Sequence, residues 1–274
     1  MKKLWRQTRA YNHVGLVTIM VPKQENESEP VHLRDTIKLL EPGLSATFWN
    51  YTERVTGQRS LKKLISQGLL LTLLSDFPSI WGVVLRRLTY RKVLGSMGEN
   101  CFIGKNVRFR VPGRIFLGNR IFIGENACLD ACYLKSKIRV HDGVHIGRNS
   151  ILRAGIGQIT INEGAIVNRF VYLDGNGGIQ IGKNSLLGNK VEIISGDHIF
   201  DDPNTPIKFQ GTKLEKVTIG EDVWLGASTI VLPGVTIGNG SVVGAGSVVT
   251  EDIPNYSVAI GTPAKIVRKR GEMR

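Results

Sequence analysis

Residues 217–254 read VTIGEDVWLGASTIVLPGVTIGNGSVVGAGSVVTEDIP, and an aliphatic side chain returns at every sixth position: Ile219, Leu225, Val231, Ile237, Val243 and Val249. Self-similarity at a fixed short period marks a stacked repeat and takes precedence over any single helix or strand assignment. Two positions before the later aliphatics stand Val223, Thr229, Val235, Ser241 and Ser247, small or β-branched residues suited to a crowded interior. Extended segments alternate their side chains, so each hexad aims two residues at a common axis. Gly220, Gly226, Gly238 and Gly244 follow the aliphatics, with Asp222, Asn239 and Gly240 at the presumptive corners, where positive φ is expected. The pattern predicts an all-β solenoid, a parallel β-helix with hexad-long sides whose coils stack at roughly 4.8 Å.

The same step runs upstream in blocks of three: Leu117, Ile123, Leu129; Val140, Ile146, Leu152; Ile161, Val167, Leu173; Ile181, Leu187, Ile193. Three hexads make one triangular turn, and the breaks between blocks mark a corner that absorbs extra residues. With Ile103 and Phe109 opening an incomplete first coil, the expected count is about six to seven coils. The longest break, 196–216, predicts a loop extruded from one corner. Insertions on one face of a solenoid are where function concentrates.

These residues resemble the hexapeptide-repeat acyltransferases, in particular the galactoside, maltose and glycan O-acetyltransferase branch. The resemblance spans 97–270 and is most specific at GDHIFDDPNTPIKFQG (196–211) and DVWLGASTIVLPGVTIGNGSVVGAGSVVTEDIPNYSVAIGTPAKIVRKR (222–270). It implies a left-handed β-helix, a homotrimer with sites between subunits, and acetyl-CoA as co-substrate.

Residues 1–95 lack the hexad, so the expected organisation is an N-terminal arm with amphipathic helices at 1–95, the β-helix at 96–260, and a basic tail at 261–274. Within the first part, residues 1–59 carry the polar run KQENESEP at 23–30 and are otherwise uninformative. The run from Ser60 to Gly95 is helical in propensity but split by Asp76 and Pro78, too early for a membrane span of about 20 apolar residues. Two shorter helices are expected to cap the first coil's open edge. Peripheral membrane contact through residues 60–95 is the sharper expectation, since Arg86, Arg87, Arg91 and Lys92 follow an apolar face that includes Trp81. Fifteen Lys and Arg against seven Asp and Glu place +8 of the net +13 in these 95 residues. No stacking platform or recognised module accompanies that charge, so no nucleic-acid partner is expected. Three cysteines without a CxxC pair suit a reducing compartment, where all three would act as small buried hydrophobes. Without a recognisable signal peptide, the expected location is cytoplasmic, at the inner face of the cell membrane where the helices touch it.

Acetyl transfer to a hydroxyl needs a base near neutral pKa, which an imidazole supplies. The resemblance makes His198, at the mouth of the extruded loop, the catalytic base for direct attack by the acceptor. Asn168 and Asn176 fall in register with acceptor contacts of that branch, with Asp174 beside the second, although LDGNGG also reads as a tight corner. Asp197 is one candidate to orient the imidazole. On the donor side the resemblance assigns Trp224, Ala227, Ala245, Gly246 and Thr250 to the pantetheine channel, and Lys265 and Arg268 to the cofactor's phosphates. Glu251 stands where relatives often carry lysine. A zinc site from His141, His145 and His198 would need convergence across subunits, so no metal is expected. The alternatives to an O-acetyltransferase are an N-acetyltransferase acting on an amino-sugar nucleotide or drug, and a non-catalytic scaffold.

Overall fold

In the computed structural model, which describes residues 5–12, 15–22, 44–133 and 135–272, each six-residue step becomes one side of a triangular coil. The first face stacks seven parallel strands, from Ser96–Met97 to Thr236–Ile237, and the third face seven more, from Arg108–Arg110 to Val248–Val249. The second face begins at Phe102–Ile103 and carries nine strands; its last, Ala264–Lys269, folds back antiparallel on Ser257–Gly261. The count is therefore seven coils, consistent with the left-handed β-helix of the resemblance. The first coil is complete, because Met97, six residues before Ile103, pairs with Leu117 of the next.

Every hexad aliphatic from Ile103 to Val249 is buried, most of them to zero exposure, in one continuous core. The small polar residues are buried beside them, and each hydroxyl bonds a corner of a neighbouring turn. Ser150 donates to the Asn168 carbonyl at 2.7 Å, Ser185 to Gly220 at 2.7 Å, and Ser241 to Pro254 at 2.7 Å. A hydroxyl left unpaired there would cost about 1–3 kcal/mol, which is why the interior tolerates serine only at these positions.

The corners differ from the expectation in one respect. Positive φ falls on Asp222, Ser228, Gly240 and Gly246, whereas Gly220, Gly226, Gly238 and Gly244 have ordinary φ. Those glycines serve close approach: a Cβ on Gly226 would lie 2.5 Å from the Ala245 nitrogen of the coil above. Asn239 likewise acts through its side chain, accepting from the Glu221 N–H at 2.8 Å.

Ahead of the solenoid, Trp5–Asn12 and Gly15–Pro22 pair as an antiparallel hairpin that the hexad search does not detect. The polar run at 23–30, His13 and His32 lie outside the described residues. Among the described residues three helices follow: α1 (Leu44–Thr56), α2 (Leu61–Ser75) and α3 (Ser79–Tyr90). Ser60 caps α2 by accepting from Lys63 N–H, and the expected break holds at Asp76–Pro78. The helix α1 was not read from the sequence, where its apolar residues follow no long period.

The helix α3 packs on the first coil through Tyr90, whose ring meets Phe109 edge-on with centroids 5.8 Å apart, and through Val93 and Leu94 just beyond it. Arg86, read from sequence as a membrane-facing cation, is instead buried. Its guanidinium donates to the carbonyls of Ile103 and Leu74, both at 3.0 Å, and of Phe77 at 3.0 Å, pinning the α2–α3 link to the solenoid. Of the cysteines, only Cys101 is fully buried; Cys128 and Cys132 are half-buried.

Candidate active site at the loop corner

The fifth coil ends its third side at Ile194, and the chain leaves the prism at Ser195. Ser195 is fully buried; its hydroxyl donates to the Asp174 carbonyl at 2.6 Å and accepts from the Gly177 N–H at 2.9 Å. The chain returns at Glu215, whose N–H donates to the Ser195 carbonyl at 3.0 Å. Between these pins Gly196–His198 pairs antiparallel with Thr212–Leu214. Beyond the hairpin, Asp202 organises the tip. Its carboxylate accepts from Asn204 N–H at 2.9 Å and from the Thr205 hydroxyl at 2.7 Å, bonds that hold its pKa below the ordinary carboxylate range. The extruded segment is thus a built loop, and it carries Phe200, Ile207 and Phe209 exposed on its surface.

His198 sits exposed on the last paired residue of that hairpin. Asp197 does not orient its ring: the carboxylate accepts from the His198 backbone N–H at 2.8 Å. Asp174 and Asn176 lie at the same corner, one coil below. Asp174 pairs in register with Ile194, and the Cβ of Asn176 lies 3.4 Å from where a Cβ on Gly196 would stand. Asn176 donates to the Asp174 carboxylate at 2.7 Å, and Arg153 approaches the other Asp174 oxygen at 3.8 Å. Asn168 is not brought here. It lies at the corner between the second and third faces, where its amide donates to the Leu187 carbonyl at 2.8 Å.

That second corner holds the small donor-side residues. Ala227 and Ala245 stack on successive coils, and the Gly246 N–H donates to the Ala227 carbonyl at 2.8 Å. Gly246 has φ +71° with nothing within 4 Å of an added Cβ, so the backbone here is open to an approaching molecule. Trp224 projects from the second face, 54% exposed, between Leu186 and Val242. It belongs to an outward column of one residue per coil, Phe102, Phe122, His145, Ile166, Leu186 and Trp224. Phe122 stacks on Phe102 at 4.8 Å and on His145 at 4.4 Å; burial in that stack pushes the His145 pKa down, with Arg169 adding to the effect.

Thr250 ends the third face of the seventh coil, exposed, at the loop corner rather than beside Ala227. Lys265 pairs with Glu251 at 3.3 Å, and Arg268 folds onto the carbonyls of Lys269 and Glu272 at 3.1 and 2.9 Å. Both partners of the Lys265 pair are well exposed, so the pair contributes only about 0–1 kcal/mol and yields readily to a competing anion. His141 and His145 stand on the third coil and His198 leaves the fifth. Among the described residues no three His, Cys, Asp or Glu side chains gather as metal ligands. The candidate acceptor-side and donor-side residues of one chain therefore fall at different corners of the prism. Ser195, Gly177 and Glu215 went unread in the sequence because they fall in a register break, where the hexad carries no information.

The bacterial transferase hexapeptide model, which comprises six repeats, matches residues 216–251. WbbJ of Escherichia coli K12, named as a lipopolysaccharide-biosynthesis O-acetyltransferase, is 35% identical over 148 residues, 50% of this chain and 76% of that protein. Rv3034c of Mycobacterium tuberculosis, named as an acetyltransferase, is 35% identical over 169 residues, 60% of this chain but only 55% of its own length. The galactoside O-acetyltransferase of Escherichia coli K12 is 36% identical over 128 residues, 40% of this chain and 63% of that protein. The chain belongs to the hexapeptide-repeat acyltransferases.

Proposed function

We propose that this chain is an acetyl-CoA-dependent O-acetyltransferase acting on a hydroxyl of a sugar or surface glycan. The observation that carries the reading is the built hairpin that carries His198 and is rooted at Gly196 beside Asp174 and Asn176. The galactoside and lipopolysaccharide activities named for two relatives point the acceptor toward a sugar. In the reaction the acceptor oxygen attacks the thioester carbonyl, His198 takes the hydroxyl proton, and the carbon–sulfur bond breaks. The proton then passes to the departing thiolate, leaving the acetyl ester and coenzyme A. Such proton transfer contributes about 10²–10⁴ in rate.

The half-sites supply the rest of the model. The second face, whose outward column is apolar except at His145, meets a second copy, and three copies close a trimer. His198, Asp174 and Asn176 of one corner then face Asn168, Ala227, Ala245 and Gly246 of a neighbour, with Trp224 at the edge of the channel. Lys265 and Arg268 exchange their present partners for the phosphates of the cofactor.

Titrating acetyl-CoA into the wild-type protein and into a Lys265→Ala, Arg268→Ala double variant, with native mass recorded alongside, tests this. Binding by a trimer that weakens about tenfold or more in the variant supports the donor side, given about 1.5–3 kcal/mol for each charge-assisted hydrogen bond. A folded trimer that binds no acetyl-CoA removes the assignment.

A further inference from the structure

The helical hairpin below the solenoid has two apolar sides, and the first coil uses only one. On α2, Leu70, Leu71 and Leu74 pack against the core, while Leu61, Ile65, Leu69 and Leu73 recur every fourth residue on the opposite side, each at least half exposed. On α3, the spacing of Gly82, Arg86 and Tyr90 defines the buried side. Ile80, Trp81, Val84 and Leu88 lie across from it, 40 to 68% exposed. Phe77, in the link between the helices, is 43% exposed and joins the two stripes. So large and continuous an outward apolar surface marks an interaction site.

The charges around it identify the occupant. Neither helix contains an acidic residue, and the Asp76 carboxylate in the link is paired with Lys105 at 2.8 Å. Lys62 and Lys63 precede the apolar run, and Arg87, Arg91 and Lys92 follow it. Arg87 and Arg91 reach Asn100 and the Gly98 carbonyl through one nitrogen each and stay at the surface. Among the described residues no helix is long and apolar enough to cross a bilayer, so the hairpin is suited to lie in an interface, not to span one. We infer that the outward face of α2 and α3 docks on an anionic lipid surface, with Trp81 and the leucines entering the headgroup boundary and the flanking cations meeting lipid phosphates. The docking is separate from acetyl transfer and needs none of the residues assigned to it.

The test uses the full chain in flotation with vesicles of phosphatidylcholine alone and of phosphatidylcholine mixed with phosphatidylglycerol. Binding is expected to be about tenfold or more tighter on the anionic vesicles and to weaken in high salt. Ile65→Glu with Trp81→Glu should abolish flotation, and Lys62→Gln, Lys63→Gln, Lys92→Gln should remove the anionic preference. Ile65, Trp81, Lys62 and Lys92 are exposed and Lys63 is half-buried, and unchanged acetyl-CoA binding would confirm that each variant is folded. Equal flotation on both vesicle types overturns the inference, as does flotation unaffected by the glutamates. So does a full chain that fails to float while a chain beginning at residue 44 floats, because residues 1–43 would then cover the face. A native mass that drops in the Ile65→Glu, Trp81→Glu variant without any vesicle binding overturns it in favour of a second copy.

Discussion

Removing the Ser195 hydroxyl should loosen the extruded loop without dismantling the solenoid, and Ser185 provides a matched control. Both serines are fully buried in the fifth coil, and each hydroxyl makes two bonds. In Ser195 these are 2.6 Å to the Asp174 carbonyl and 2.9 Å from the Gly177 N–H; in Ser185 they are 2.7 Å to the Gly220 carbonyl and 3.0 Å from the Val223 N–H. Losing two such bonds costs about 1 kcal/mol each, and the N–H left behind adds part of a desolvation penalty, giving about 2–3 kcal/mol for either alanine. Urea unfolding should therefore rank the two variants equal. Amide exchange should separate them. In Ser195→Ala the amides of Asp197, His198 and Glu215 should exchange about thirty- to a hundredfold faster, the same free energy expressed as local opening, while in Ser185→Ala they should not. Turnover should fall in the first variant and hold in the second. Equal exchange across the loop in both variants would refute the claim that Ser195 roots it.

His198→Ala should lower acetyl transfer to a sugar hydroxyl by about 10²–10⁴ while acetyl-CoA affinity measured by calorimetry stays within about twofold; retained turnover would remove the histidine from the mechanism. Replacing residues 199–211 with a two-residue turn should leave stability and donor binding intact, because Ser195 and Glu215 still close the coil, yet abolish transfer in a thiol-release assay. Arg86→Met should destabilise by about 3 kcal/mol in urea melts and open the α2–α3 link to protease, since three close carbonyl contacts lose a charged donor. Burial pushes the Tyr90 phenol up to about 12 and its hydroxyl has no hydrogen-bond partner. The folded state thus keeps a proton that the unfolded chain releases near pH 10. That contribution is complete below about pH 10 and is lost as pH rises toward 12. Tyr90→Phe should flatten the alkaline decline and cost nothing near neutrality.

The solenoid was legible because its physics is local and repeated: one buried aliphatic per hexad predicts one strand per side, and the register from Leu117 to Val249 is found as read. The corner glycines were assigned the wrong cause. Their need for a missing Cβ arises from the coil above, a contact about eighteen residues away that no local pattern encodes. Arg86 failed for a similar reason. On the sequence it is one of four cations after an apolar run, and only the fold reveals that the buried carbonyls at the end of α2 converge on it. His198 enters as a candidate through resemblance and not through spacing, because the loop that carries it is the segment where the repeat stops.

The spacing of the hexad aliphatics explains why the repeat is broken at one corner. From the first to the second face, and from the second to the third, the step is six residues in every coil. From the third face back to the first it is eight from Phe109 to Leu117, eleven from Leu129 to Val140, nine from Leu152 to Ile161, and eight from Leu173 to Ile181. It reaches 26 from Ile193 to Ile219 before returning to six from Val231 to Ile237. Two regular corners therefore bound the second face and keep it straight, so Phe102, Phe122, His145, Ile166, Leu186 and Trp224 fall in a column that a copy of the same surface can match. The third corner is free of that constraint. Five of the six turns there add residues of their own, and Asn176, Gly177 and the loop itself are drawn from these additions. A repeat makes every coil alike and so can specify an interface but not a unique site. Specific recognition requires breaking the repeat, and this chain breaks it at a single corner, furthest where His198 stands.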